Sequence, residues 1–241
     1  MRRSCLFAAI ALLCVCASVQ ASVTFLDGDF GSQWQLTTDI TTSSEPVKDG
    51  VFAEIGVVDG GDGYGNCLRV SLQTIGNELG EPIYQSGAYA RADLPTAVYD
   101  PTVSGAAGFL HFSVDVRMLS QDGTPYTARP VLFFSDTGEP LLTSTGYLPM
   151  PSVGDWQHYE WDASHPVLQQ VTSAFAFGLS FSQTCPILVQ DGHPVACRGG
   201  SFTMLVDNFS VTVNPVPEPT GLFALTSGLG SLGGVVLRRR K

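Results

Sequence analysis

Hydrophobic and polar residues alternate with a period of two through much of the chain. Leu68, Val70 and Leu72 alternate with Cys67, Arg69 and Ser71, and Phe112, Val114, Val116 and Met118 alternate with Ser113, Asp115, Arg117 and Leu119. Near the end of the domain Phe209, Val211 and Val213 alternate with Ser210 and Thr212. A period of two places every second side chain on one face of a strand, so these segments read as strands buried on one side. Val131–Phe134 and Phe175–Phe181 are near-continuous apolar runs and are expected to be central strands. Gly, Pro, Asp and Ser punctuate the strands, and no stretch carries a capped helical period. The pattern predicts an all-β chain folded as an antiparallel β-sandwich of jelly-roll type.

Composition agrees with that pattern. The 241 residues include 26 glycines and 15 prolines, which suits a turn-rich β protein. Charge is placed unevenly: between Arg3 and Arg238 there are six basic residues against all 22 acidic ones, a net charge of −16. Such a domain repels nucleic acid and anionic lipid, whose binding needs basic patches. It suits neutral glycans or divalent cations, and the same charge also serves solubility.

The two ends read as addresses. Arg2 and Arg3, the apolar run Leu6–Val15, and the small residues Val19 and Ala21 have the order of a signal peptide, forming a signal helix over residues 1–21 with a cut between Ala21 and Ser22. The β-sandwich domain is expected over 22–214 and a separate tail over 215–241. In the tail, Pro217, Glu218 and Pro219 form an extended, helix-refusing segment. An apolar, transmembrane-like stretch of 17 residues, Gly221–Leu237, follows; it is at the short end for a membrane helix. Glycines at 221, 228, 230, 233 and 234 weaken that helix. Arg238, Arg239, Arg240 and Lys241 would hold its end in the cytoplasm.

That order of Pro-Glu-Pro, apolar stretch and terminal Arg cluster resembles the PEP-CTERM sorting signal. The resemblance covers residues 216–241 and implies transient insertion in the inner membrane of a Gram-negative bacterium that makes exopolysaccharide. Processing there by exosortase would follow removal of the leader by signal peptidase, with delivery to the cell surface or extracellular matrix. It implies a route and no activity.

Within the domain, Leu26-Asp27-Gly28-Asp29-Phe30 precedes Trp34, and Gly65-Asn66-Cys67-Leu68-Arg69-Val70 follows a glycine-rich loop. Gly154-Asp155-Trp156 leads into a strand, and Val206-Asp207-Asn208-Phe209 opens the last one. Together these pieces resemble jelly-roll carbohydrate-binding modules with a galactose-binding-like fold, over residues 23–213. Gly31 stands where such modules often carry an acid after the first Phe.

Candidate chemistry is sparse. There is no Gly-x-Ser-x-Gly, His-Glu-x-x-His or phosphate-loop motif, and His111, His158, His165 and His193 lack metal-ligand spacing. No catalytic residue is assigned. Glu160 and Asp162 share one face of a predicted strand, which matches a glycosidase pair only as any two surface acids would. A structural Ca²⁺ is the one cofactor considered, held by Asp27 or Asp29 with Asp207 so that the first and last strands are stapled together. The acidic loop Asp59–Asn66 reads as a glycine-rich turn in preference to a calcium loop. Cys185 and Cys197 flank a polar loop, and an oxidising compartment favours their pairing as a disulfide contributing about 2–3 kcal/mol. Cys67 is then the odd thiol, read as a small buried residue. Stacking on sugar faces would fall to Trp34, Tyr84 and Tyr89, then Tyr126 and Tyr147, in or beside Gly/Pro-rich segments, while Trp156 and Trp161 are assigned to a strand.

Three functional classes remain open, in order: a non-catalytic exported protein whose sandwich binds extracellular polysaccharide, a purely structural component of envelope or biofilm, and a polysaccharide-active enzyme. Protein released from producing cells is expected to begin at Ser22 and to lack Arg238–Lys241. Intact-mass analysis of the secreted form checks this, and an unprocessed C-terminus on released protein would overturn it.

Overall fold

The alternation emerges as long, paired strands. A computed structural model describes residues 21–27, 30–42, 49–77, 85–123, 127–142, 148, 151–185, 187–190 and 193–216. The strands are β1 (Val23–Asp27), β2 (Gln35–Thr42), β3 (Phe52–Gly61), β4 (Tyr64–Thr74) and β5 (Ser86–Tyr99). Then come β6 (Ala107–Asp122), β7 (Thr127–Phe134), β8 (Pro140–Leu142), β9 (Gln157–Ala163) and β10 (Phe175–Thr184). The hairpin of β11 (Ile187–Gln190) with β12 (His193–Cys197) precedes the final strand, β13 (Gly200–Pro215). A short α-helix, α1 (Pro101–Ser104), starts where Pro101 fixes φ and the Asp100 carboxylate accepts the Thr102 N–H at 2.8 Å.

Among the described residues the strands form two large antiparallel sheets. Sheet A runs β3-β4-β13-β6-β9, with β1 also on β13, and sheet B runs β2-β5-β10-β7-β8. The expected antiparallel β-sandwich is therefore present. The two apolar runs are β7 and β10, neighbours in the interior of sheet B. The last strand is longer than the alternation suggested, because it also includes the segment beginning at Gly200. Among the described residues, no helix is long and apolar enough to cross a membrane. The expected signal helix, up to residue 20, and the tail from Pro217 onward lie outside the described residues.

The core fills the space between the sheets. Sheet A contributes Leu68, Val70, Phe112, Val114, Met204 and Phe209, and sheet B contributes Phe175, Phe177, Leu179 and Phe181. Small residues make room for the rings: Phe181 lies in register between Ala90 of β5 and Ala128 of β7. Large beside small is how two inner faces interdigitate to interior density. Phe177 joins the sheets, with its ring centroid 5.2 Å from Phe25 of β1 and 5.6 Å from Phe175. Truncating it with Phe177→Ala is expected to cost about 3–5 kcal/mol, through lost transfer energy and the cavity left behind. Urea unfolding of the two proteins measures this; a change under about 1 kcal/mol would mean the sheets do not share this core.

Candidate functional site

The outer face of sheet B is built by β5. Its inward residues Ala88, Ala90, Ala92 and Leu94 belong to the core, so Gly87, Tyr89, Arg91 and Asp93 face outward. Strand register aligns them in cross-strand rows. Thr41, Gly87 and Thr184 form the first; Asp39, Tyr89, Ser182 and Thr127 the second; Thr37, Arg91, Ser180 and Arg129 the third. The face is thus rich in hydroxyls, with Ser182 and Thr127 bonded to each other through their side-chain oxygens.

Two glycines let side chains lie flat on this face. A Cβ on Gly87 would stand 2.7 Å from Tyr89 Oη and 2.8 Å from Tyr89 Cε2, so the ring occupies the space over Gly87. It would also stand 2.8 Å from Thr41 Oγ1. A Cβ on Gly178 would likewise stand 2.6 Å from Asp93 Oδ1. Beside the half-exposed Tyr89 ring lies a cavity of about 320 Å³ lined by Thr41, Thr42, Gln85, Ser86 and Thr184, with no charged side chain. Hydroxyls and amides both donate and accept, as sugar hydroxyls do.

Farther along the face Arg91 is held rigidly. Its Nε donates to Asp93 Oδ1 at 2.5 Å, and its guanidinium carbon lies 5.0 Å from the Phe133 ring centroid. Burial raises the Asp93 carboxyl above its ordinary value, opposed by the hydrogen bond and charge of Arg91.

The sequence candidates fall differently. Tyr89 is on this face, half exposed. Trp34 is corrected: it is 6% exposed and packs in the core, 4.5 Å from Phe30 and 5.8 Å from Phe209 between ring centroids. It offers no surface ring because Phe30 and Phe209 pack against it in the core. Tyr84, Tyr126 and Tyr147 lie outside the described residues. Trp161 is on β9 and stacks on Phe112, whereas Trp156 precedes that strand.

For the calcium staple, β1 pairs with β13, bringing Asp27 opposite Phe209. Asp207 is buried, and its Oδ1 accepts the Asn208 N–H at 2.8 Å. Asp29 and the Asp27 side chain lie outside the described residues. No group of three or more His, Cys, Asp or Glu among the described residues is placed to hold a metal. Cys185 is buried at the start of the β11–β12 hairpin, where Ile187 pairs with Cys197, whose side chain lies outside the described residues. Ala21 and Ser22 are exposed just before β1. Pro217, Glu218 and Pro219, and Arg238, Arg239, Arg240 and Lys241, are likewise outside the described residues.

Thr41, Thr42, Gln85, Gly87 and Thr184 are not marked out by the sequence. Residues 35–42 are rich in threonine, which marks a polar segment without saying what lies across from it.

No protein-family model matches this chain, and no curated protein matches it. Solved structures similar to it include the enzymatically active domain of tailspike protein 4 from bacteriophage CBA120, at TM-score 0.37 and 11% identity, covering 76% of this chain and 19% of that one. The CBM22-1–GH10 modules of xylanase 10B from Clostridium thermocellum align at TM-score 0.38 and 14% identity, covering 83% of this chain and 30% of that one. The CBM22-1 xylan-binding domain of Xyn10C from Paenibacillus barcinonensis aligns at TM-score 0.34 and 11% identity, covering 82% and 96%. This chain therefore spans less than a third of the first two structures. None of these likenesses assigns a role to a residue of this chain.

Asp93 gives this face a pH signature. Its raised folded-state value means that its contribution to stability is fully present below about 3.8, its ordinary value, and is lost as the pH rises through the folded value. The stability of wild type relative to Asp93→Asn is thus expected to be greater in acid than at neutral pH. Denaturant unfolding of both proteins at the two pH values measures it; a difference that does not vary with pH would show that burial does not outweigh Arg91.

Proposed function

We propose that this is an exported, non-catalytic protein whose β-sandwich binds a neutral extracellular polysaccharide on the outer face of sheet B. In this reading signal peptidase removes residues 1–21, and exosortase processes the tail at the inner membrane of a Gram-negative bacterium. The protein then reaches the cell surface or matrix. The observation that carries the binding reading is the Tyr89 ring lying over Gly87 between Thr41 and Thr184, beside a cavity lined by uncharged hydrogen-bonding groups.

A flat, half-exposed ring offers an apolar face to the C–H face of a sugar, and its burial on the other side costs little further ordering on binding. The hydroxyls and the Gln85 amide that line the cavity match sugar hydroxyls, and Asp39 across from Tyr89 adds an acceptor. The strongly acidic domain favours a neutral polymer, since a polyanion would be repelled at long range.

Glycan-array binding by the full chain purified in mild detergent, compared with Tyr89→Ala, tests the reading. Wild type is expected to bind at least one neutral polysaccharide, and Tyr89→Ala to weaken it about tenfold with an unchanged unfolding midpoint. Repeating the array and the unfolding measurement in chelator tests a structural calcium held by Asp27 or Asp29 with Asp207, which would appear as chelator-sensitive stability. A folded protein that binds no glycan in either condition would instead be a structural component of envelope or biofilm.

A further inference from the structure

The opposite face of the sandwich carries a second polar hollow of different chemistry. Asp62 and Gly63 form the two-residue turn of the β3–β4 hairpin, with φ of 52° and 88°, and Gly61 pairs with Tyr64 across it. The acidic glycine-rich loop is thus a tight hairpin turn. Its tip is drawn over the outer face of sheet A by Arg117 of β6. That guanidinium donates from Nη1 to Asp62 Oδ2 at 2.9 Å and from Nε to the Gly154 carbonyl at 2.8 Å. Tyr64 stacks on Trp156, with centroids 4.0 Å apart and planes 16° apart.

Facing the tip, β13 has a bulge: Asp207 is opposite Asp115 and Ser210 opposite Ser113, so two residues of β13 stand against Val114 alone. Asn208, in the bulge, has φ of 50° and donates from Nδ2 to Asp115 Oδ2 at 2.7 Å. Asp62 and Asn208 are the non-glycine residues at positive φ among those described, and both line the same cavity of about 250 Å³. Its other walls are Gly63, Tyr64, Gly65 and the buried Asp207. At Asp62 the positive φ belongs to the hairpin turn, and at Asn208 it accompanies the bulge.

Two carboxylates at the hollow already have side-chain partners. Asp62 has Arg117, and Asp115 accepts from His158 at 2.6 Å as well as from Asn208. His158 also reaches Glu160 at 3.2 Å, and its hydrogen bonds to Asp115 and Glu160 raise its pKa. Carboxylates already paired with Arg117, or bonded to His158 and Asn208, would have to exchange those partners for a divalent ion. They keep spare lone pairs for hydroxyl donors, and the Asn208 carbonyl oxygen adds another acceptor.

We propose that this hollow is a second carbohydrate site, taking one sugar ring through its vicinal hydroxyls at Asp62, Asp207 and Asn208 and its apolar face at the Tyr64–Trp156 pair. The domain would then hold two separate polysaccharide chains, one on each outer face, and cross-link them. The proposal rests on the polysaccharide-binding reading of sheet B. Two chains are required because the sheets pack about 10 Å apart with the core between them, and a single stiff chain would have to round a sheet edge to reach both faces. Two sites on a rigid body turn weak single-site affinity into network formation without any further contact.

The test uses the full chain with soluble xylan, mixed-linkage β-glucan and galactomannan as probes. Affinity electrophoresis reads binding and light scattering of the mixture reads cross-linking. Wild type is expected to be retarded by at least one polymer and to raise its scattering. Trp156→Ala and Asp62→Asn are expected to keep binding while scattering falls about tenfold, because one site remains. Asp62→Asn keeps a residue that tolerates the turn's positive φ, so a folding failure of Trp156→Ala leaves the test intact. Tyr89→Ala should lose cross-linking in the same way, and Tyr89→Ala with Asp62→Asn should lose binding. Scattering by folded Asp62→Asn equal to wild type, or loss of all binding in Tyr89→Ala alone, would overturn the second site and leave the first standing. A wild type bound by none of the three polymers, and by no glycan on the array, would overturn the polysaccharide reading itself.

Discussion

The handover along β13 is the constraint on which the rest of sheet A depends. On one side this strand pairs with β6 over almost its whole length. On the other it pairs with β4 up to Val206 opposite Leu68, then with β1 from Phe209 opposite Asp27. The change of partner falls on Asp207 and Asn208, and the bulge there absorbs it. An extra residue restores the inward phase, so that Val206 and Phe209 both face the core. Without it, every side chain from Ser210 onward would turn to the wrong face. Phe209 would then leave Trp34 and Phe112, the rings that close this part of the core.

The same bulge shapes the outer surface. It turns Asp207 and Asn208 toward the β3–β4 hairpin tip and ties Asn208 to Asp115. The hairpin in turn depends on Gly60, where a Cβ would stand 2.1 Å from Cys67 Sγ and 2.9 Å from Tyr64 Cβ. Cys67, the unassigned thiol of the sequence, is therefore a packing residue seated over a glycine, its Sγ 3.7 Å from the Gly65 carbonyl.

Sheet B solves a different problem with a single strand. Facing in, Ala90 and Ala92 of β5 stand opposite Phe181 and Leu179 of β10 and give them room to fill the core. Facing out, Gly87 lets Tyr89 lie down and, on neighbouring β10, Gly178 does the same for Asp93. A side chain that lies flat presents a ring or carboxylate edge in a defined place, which is what recognition of a flat polymer requires. The two faces of the sandwich are therefore unlike: sheet B carries hydroxyls and an uncharged cavity beside one ring, with Asp39 across from it and the Arg91–Asp93 pair farther along, and sheet A carries bonded acids beside a ring pair.

Strand faces were legible in the chain itself, because alternation with a period of two is a local property and core residues such as Leu68, Val70, Phe112 and Val211 declare their side within a few positions. The expectations for both termini likewise come from the sequence alone. Tertiary structure decided which aromatics are exposed and which residues meet. Trp34 and Tyr89 both sit among turn-forming or small residues, yet one is closed over by Phe30 and Phe209 and the other lies open on a sheet. Thr41, Gly87 and Thr184 form one row, and Asp62 and Asn208 line one hollow, only through the pairing of strands far apart in the chain. Periodicity reports which face a residue takes; the identity of its cross-strand neighbour depends on pairing and on a bulge, and neither leaves a signature within a single strand.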